Sequence, residues 1–289
     1  MNYQDMKTKL QSKYKEWIEQ IRTNYPEFLE KDGYSNPYYV GVQANWCDRE
    51  VVKVLVVGEE GTFYPGQTGN AKIPSNCKGK MLSFQVDDYV NLMDWASDNL
   101  DRQLDLALSE DTVSKKYGFG YNPHSFWRWF RELQETAQKR NLRVSFAITE
   151  LDKICKQPKE KGSCCLTRKE ETRLHMAENE SRIAILKEEI DILQPDIVLF
   201  FGWYSGALKM ELPELAKEVE GRRSEWDFKR NDKAHPIKFE NNKRTYIFSY
   251  HPSRMTNEYK NQVIGLYESE LEEFLRLPFK KIKNISHIT

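Results

Sequence analysis

The sequence has no run of about 18 apolar residues, so no segment reads as a membrane span. Nor does it have an excess of charge of either sign. Its 44 Lys+Arg balance 44 Asp+Glu, so no global field draws it to nucleic acid or to a lipid surface, though a local basic groove stays open. The opening stretch MNYQDMKTKLQSKYKEW contains no apolar signal core. With a mean hydropathy of −0.75 and 30% charged residues, the expectation is a soluble, cytoplasmic protein. Cysteine is sparse and odd in number: Cys47, Cys77, Cys155, Cys164 and Cys165. None of these pairs has CxxC spacing, and adding His175 does not give the usual ligand spacing. Free thiols, no zinc and no iron–sulfur cluster are expected. The chain also lacks GxGxxG and any Walker motif, which argues against an ordinary dinucleotide or P-loop enzyme.

The most informative stretch is VVKVLVVGEEGTFYPG, from Val51 to Gly66. A β-branched run broken only by Lys53 predicts a strand buried on both faces of a parallel sheet. It stops at Gly58, and Glu59 and Glu60 follow. Ligand crevices in open α/β sheets lie at the carboxyl ends of the strands, so acids at this point form a candidate site. A solvated turn with two surface glutamates reads equally well from this stretch alone.

Along the rest of the chain, Met6, Leu10, Tyr14, Trp17, Ile18 and Ile21 repeat at helical spacing and predict a helix over about 5–22. Residues 61–80 predict a long irregular loop, and 84–99 a helix. His124 to Lys139 predicts a helix whose aromatic face packs the core. Val144–Ile148 reads as a short strand ending at Thr149 and Glu150. Thr167 with Glu170 has capping-box spacing and opens a helix drawn through to Leu193, where Pro195 stops it. Asp196–Phe201 is a third strand, closed by Gly202. Residues 205–219 predict a helix interrupted at Pro213, and 220–243 look like an exposed, charged excursion. Arg244–Ser249 is a fourth strand, ending in Tyr250-His251-Pro252-Ser253, and a last helix follows.

Strands alternating with helices predict an α/β fold with a mostly parallel four-stranded sheet. We expect residues 1–45 as an N-terminal helical extension packed on the core, 46–278 as the α/β domain and 279–289 as a basic tail. In such a sheet Glu59, Glu60, Thr149, Glu150, Gly202, Trp203, His251 and Ser253 emerge at one edge and can converge on one pocket.

These residues resemble the uracil-DNA glycosylase superfamily. VLVVGEEG is similar to the family's first motif, an apolar strand followed by glycine and a water-activating segment. ILKEEIDILQPDIVLFFG resembles its helix, proline and third strand, with some similarity to the iron–sulfur branch but without a cysteine after Cys165. SYHPSRM resembles its histidine-proline-serine turn. The resemblance spans about 50–255 and implies a three-layer α/β/α sandwich. It also implies a base-excision DNA repair hydrolase that flips a modified base from DNA. With no cysteine after Cys165, no iron–sulfur cluster is expected, and the protein is expected to act as a monomer without a cofactor.

Position by position, the resemblance implies that Glu59 or Glu60 positions water. His251 would stabilise negative charge on the departing base, and Ser253 would grip a phosphate. Arg254 and Met255 would enter the duplex-contacting loop, and Phe84 would stack on the flipped base. Gly58, Thr149, Glu150 and Gly202 would line the base pocket. The chain departs from the family in carrying Thr149-Glu150 where a base-reading asparagine stands. It also lacks a proline after the first acid. A carboxylate accepts hydrogen bonds but lacks an amide's donor–acceptor pair, so a base with an exocyclic amine suits Glu150 better than uracil. The alternative carried beside the enzyme is a catalytically silent relative that binds nucleic acid or protein.

Overall fold

The computed structural model describes residues 1–30, 34, 37–60, 93–94, 96–98, 100–101, 104, 127–154, 166–175, 183–202, 206–227, 233–241, 244–250 and 255–276. For Glu59 and Glu60 it describes the backbone alone. The elements in chain order begin with α1 (Tyr3–Asn24), α2 (Glu27–Glu30), β1 (Gly41–Val42), a 3-10 turn (Ala44–Cys47) and β2 (Val51–Glu60). They continue with α3 (Trp127–Gln138), β3 (Arg143–Asp152), α4 (Arg168–His175), α5 (Ile185–Leu193) and β4 (Ile197–Phe201). Last come α6 (Gly206–Glu211), α7 (Pro213–Gly221), α8 (Arg223–Trp226), β5 (Ile237–Asn241), β6 (Arg244–Ser249) and α9 (Asn257–Arg276).

One sheet of six strands has the order β1-β3-β2-β4-β6-β5. The inner four, β3, β2, β4 and β6, are mutually parallel, and β1 and β5 add antiparallel edges. The four expected strands are therefore present and parallel, but the expected sheet of four is a mixed sheet of six. Two-residue β1 is too short to announce itself in sequence. β5 was hidden in the stretch expected to be an exposed excursion. On an edge strand only alternate residues need face the core, so Ile237-Lys-Phe-Glu-Asn reads as polar. Ile237 and, on α8, Trp226 are nonetheless buried, and the Trp226 indole N–H donates to the Val219 carbonyl at 2.8 Å.

β2 is central because its sequence suits no other place. Val51, Val52 and Val54 to Val57 are all buried, so both faces of the strand are covered. Its register is pinned by Asp196, the residue after Pro195. The Lys53 N–H donates to the Asp196 carboxylate (2.9 Å), and the Asp196 N–H donates to the Lys53 carbonyl (2.9 Å). The Asp196 carbonyl in turn accepts from the Thr245 N–H (3.0 Å), which ties β6 to the same point.

Strand alternation assigns the helices to the faces. Thr149 of β3 meets Glu189 of α5 on one face, and α1 joins it there through Tyr14. Phe146, three residues earlier and so on the opposite face, packs edge-on against Phe130 of α3 at 5.1 Å. Thr245 shares that second face and donates to Glu270 of α9. The described helical residues Met93, Ala96, Leu100 and Leu104 are buried at helical spacing.

The helix expected to run unbroken from Thr167 to Leu193 is two helices. The capping box at its start is present: the Thr167 N–H and hydroxyl donate to Glu170, and the Glu170 N–H donates to the Thr167 hydroxyl. A second start occurs at α5, after Ala184 in extended backbone (ψ 90°). Backbone N–H groups around this start find partners from elsewhere in the fold. Glu211 of α6 accepts from the Leu186 N–H (2.9 Å), and Gln20 of α1 accepts from the Ile183 N–H (3.0 Å). A cap supplied by a distant element leaves no local sequence signature.

Candidate active site at the carboxyl edge of the sheet

Parallel register brings the carboxyl ends of β3, β2, β4 and β6 to one edge. Gly58 sits between Glu150 and Phe201, and Glu60 lies opposite Asp152. β2 and β3 thus run further than the sequence suggested, because ladder pairing continues past the glycine. Glu150 does not end its strand. It is a paired residue inside β3, nine-tenths buried, with Leu151 and Asp152 still in the strand after it.

Gly58 is glycine because of Glu150. A Cβ built on it would lie 2.1 Å from one Glu150 carboxylate oxygen, 2.8 Å from the carboxylate carbon and 3.0 Å from the other oxygen. The carboxylate occupies the space that any side chain at 58 would need. Gly58→Ala is therefore expected to displace Glu150 and to cost about 1–3 kcal/mol in urea unfolding. Loss of less than about 0.5 kcal/mol would mean that the carboxylate swings aside freely.

Thr149 faces the other way. The sequence reading put it at the base pocket, but strand alternation turns it away from Gly58 and Glu150 into a fully buried polar cluster. Its hydroxyl donates to Glu189 Oε2 (2.8 Å) and accepts from Lys153. Lys153 Nζ reaches both Glu189 oxygens, at 2.6 and 2.7 Å. The Tyr14 hydroxyl donates to Glu189 Oε1 (2.6 Å) and accepts from the Val40 N–H (2.8 Å). Burial first, then the Glu189 carboxylate beside it, hold the Tyr14 phenol well above its ordinary pKa, so it remains a donor. The cluster joins α1, β3 and α5. Sequence reasoning missed it, although one signal was present: Glu189 is an acid three residues after Leu186 and next to Ile190, within the helical spacing of the apolar residues Ile183, Leu186, Ile190 and Leu193.

The exits of β4 and β6 are tied together. The Gly202 N–H donates to the Ser249 carbonyl (3.1 Å), and the Ser249 hydroxyl donates to the Phe200 carbonyl (3.2 Å). Tyr250, the residue before His251, is buried against Trp226 and Tyr259, with ring centroids 6.0 and 5.8 Å away, and its hydroxyl donates to Asp227 (3.4 Å). A buried, hydrogen-bonded aromatic fixes where the chain leaves β6. His251, Ser253, Arg254 and Phe84 lie outside the described residues, as do the side chains of Glu59 and Glu60. Met255, expected as a residue that enters a duplex, is half-buried against the hydrophobic core. It packs the approach to α9, whose Tyr259 N–H donates to the Thr256 hydroxyl (3.2 Å). Among the described residues, Val57, Gly58, Leu151, Phe201, Gly202 and Leu208 help line a small cleft of about 10 Å³ at this edge, room for one water molecule.

Elsewhere, Glu240, Glu270 and Glu273 bring carboxylate oxygens within 4.8 Å of one another. Lys238 already pairs with two of the three, Glu240 (2.6 Å) and Glu270 (2.7 Å), and Thr245 donates to Glu270. The group lies toward the start of β6, away from the carboxyl edge. Cys47 is a half-buried free thiol, and the other four cysteines lie outside the described residues. Among the described residues, no helix is long and apolar enough to cross a membrane. No protein-family model matches the chain, and the curated proteins compared with it give no match.

Proposed function

We propose that this protein is a DNA glycosylase-like hydrolase that cleaves the N-glycosidic bond of a flipped, modified base in DNA. In this reading the sheet is the centre of a three-layer α/β/α domain of the uracil-DNA glycosylase type, acting in the cytoplasm as a monomer and without a cofactor. The observation that carries it is the parallel register of β3, β2, β4 and β6, which sets Gly58, Glu150, Gly202 and Tyr250 at one edge. The motif residues Glu59, Glu60 and His251 adjoin Gly58 and Tyr250 in the chain. A carboxylate there holds water beneath the sugar carbon and favours a developing oxocarbenium ion. His251 donates a hydrogen bond to the leaving base as it gains charge. Ser253 and Arg254 contact phosphate.

A second reading is favoured by one residue. Glu150 stands where the family pattern has an amide, and a catalytically silent relative that binds nucleic acid or protein would tolerate that change. Incubating the protein with duplex and single-stranded oligonucleotides, each carrying one modified base, separates the two readings. The enzyme leaves abasic sites with at least one of them. A protein that binds these oligonucleotides and leaves no abasic sites is the silent module. In either case, Arg254→Ala is expected to weaken DNA binding and to lower the slope of log Kd against log salt by about 1. Fluorescence anisotropy across a salt series measures this, and an unchanged slope with unchanged affinity would move the phosphate contact elsewhere.

A further inference from the structure

The inner strands are not equally supported at their carboxyl ends. Among the described residues, the register of β2 with β4 ends at Gly58, opposite Phe201, whereas β2 and β3 stay paired to Glu60 and Asp152. Beyond Gly58 the β2 backbone therefore has a ladder partner on one side only, and residues 59–60 hold their place only as firmly as 150–152 hold theirs. The next residue of β3, Lys153, fastens that end. Its ammonium is fully buried against Glu189 and Thr149, and its carbonyl accepts from the Tyr38 N–H (2.6 Å). One side chain of α1 serves both attachments. The Tyr14 hydroxyl donates to Glu189 and accepts from the Val40 N–H, and its ring packs edge-on against Tyr39 at 4.5 Å. Tyr14 thus fixes the carboxylate that faces Lys153. It also fixes residues 38–40, which lead into β1, the outer neighbour of β3.

We infer that Tyr14 is a positioning residue for the carboxyl edge. Through Lys153 and residues 38–40 it keeps the end of β3 in the ladder, and through β3 it keeps the backbone of residues 59–60. The N-terminal helix is in this respect part of the scaffold of the edge, and the role does not depend on the reaction the edge performs. Tyr14 is fully buried, so water cannot replace either bond of its hydroxyl. Removing the hydroxyl leaves the Val40 N–H without its acceptor and Glu189 without a donor. That loss falls on the end of β3. The ladder of β4 with β6 lies on the far side of β2. Strand ends open by local fluctuations that leave the rest of a sheet folded, and the free energy of such an opening depends on the bonds it breaks.

Backbone amide relaxation dispersion of the full-length protein by NMR tests this, because it detects openings on the microsecond-to-millisecond scale residue by residue. Two variants are compared with the parent. Tyr14→Phe keeps the ring and removes the hydroxyl. Gln20→Ala removes a different polar tie of the same helix, the acceptor of the Ile183 N–H, which is not part of the Lys153 cluster. Tyr14→Phe is expected to raise the exchange contribution at least ~10-fold at residues 59–60 and 150–153, while 198–201 and 246–249 stay as in the parent. Gln20→Ala is expected to leave 59–60 and 150–153 unchanged. Four outcomes would overturn the inference. Exchange raised alike in all four strands of Tyr14→Phe would make the hydroxyl a contributor to overall stability only. No change at 150–153 would mean that the end of β3 is held without it. Exchange confined to 150–153 would break the link to β2. The same pattern in Gln20→Ala would assign the effect to docking of α1 as a whole and not to Tyr14.

Discussion

Replacing Glu189 with alanine is expected to destabilise the protein by about 3–5 kcal/mol, among the largest effects of any single substitution in this fold. The expectation follows from what would remain. Lys153 and Glu189 are both fully buried, and the ammonium's partners are the two Glu189 oxygens and the Thr149 hydroxyl. Without the carboxylate, a positive charge stays in the interior with one neutral oxygen beside it. Tyr14 loses its acceptor at the same time, so α1 loses a polar tie to α5. Lys153→Ala should cost a similar amount for the converse reason, since it leaves the carboxylate without its counter-charge. The double substitution Lys153→Met with Glu189→Leu should be far milder than the sum of the two alanine changes, because it removes both charges and refills the space. Urea unfolding of the three proteins checks this. Additive losses would mean that the pair is not the unit that matters.

His251→Ala should lower the single-turnover rate of base excision by at least ~10²-fold while leaving DNA affinity nearly intact. The same is expected of Glu59→Gln or Glu60→Gln, whichever acid holds the water. The reasoning is differential: a hydrogen bond to the departing base strengthens as charge accumulates there, so its loss falls on the transition state and spares the ground state. Tyr250 bears on this, since its buried ring and its bond to Asp227 fix the exit of β6 one residue before His251. A His251→Ala protein that lost binding and rate in equal measure would make His251 a DNA contact and nothing more.

How much of this could be read from the sequence depended on how local each cause was. The parallel strands were legible where burial on both faces gives a continuous apolar run, Val54 to Val57 and Ile197 to Phe201, and in shorter apolar cores, Phe146 to Ile148 and Tyr246 to Phe248, in the other two. The Thr167–Glu170 box was legible because both partners lie within four residues. The edge strands were not: Gly41–Val42 is too short, and Ile237–Asn241 alternates. The break before Ile185 was invisible because Glu211 and Gln20, which receive the N–H groups there, belong to other elements. At the candidate site, Gly58 and Glu150 were both picked out, but not the reason they occur together. That reason is the register pairing of β2 with β3, which sets a carboxylate where a side chain at 58 would be. The same pairing turned Thr149 to the far face, an outcome fixed by strand parity once β3 is known to continue through Asp152.

If the carboxyl edge hydrolyses an N-glycosidic bond, as proposed, free base is the direct product. Under single-turnover conditions, with protein in excess over a panel of modified-base duplexes, mass spectrometry of the small-molecule fraction should find one free base. Its yield should match the abasic sites formed, and it should fall at least ~10²-fold with His251→Ala. Absence of free base across the panel, or release at the same rate from His251→Ala, would contradict the account.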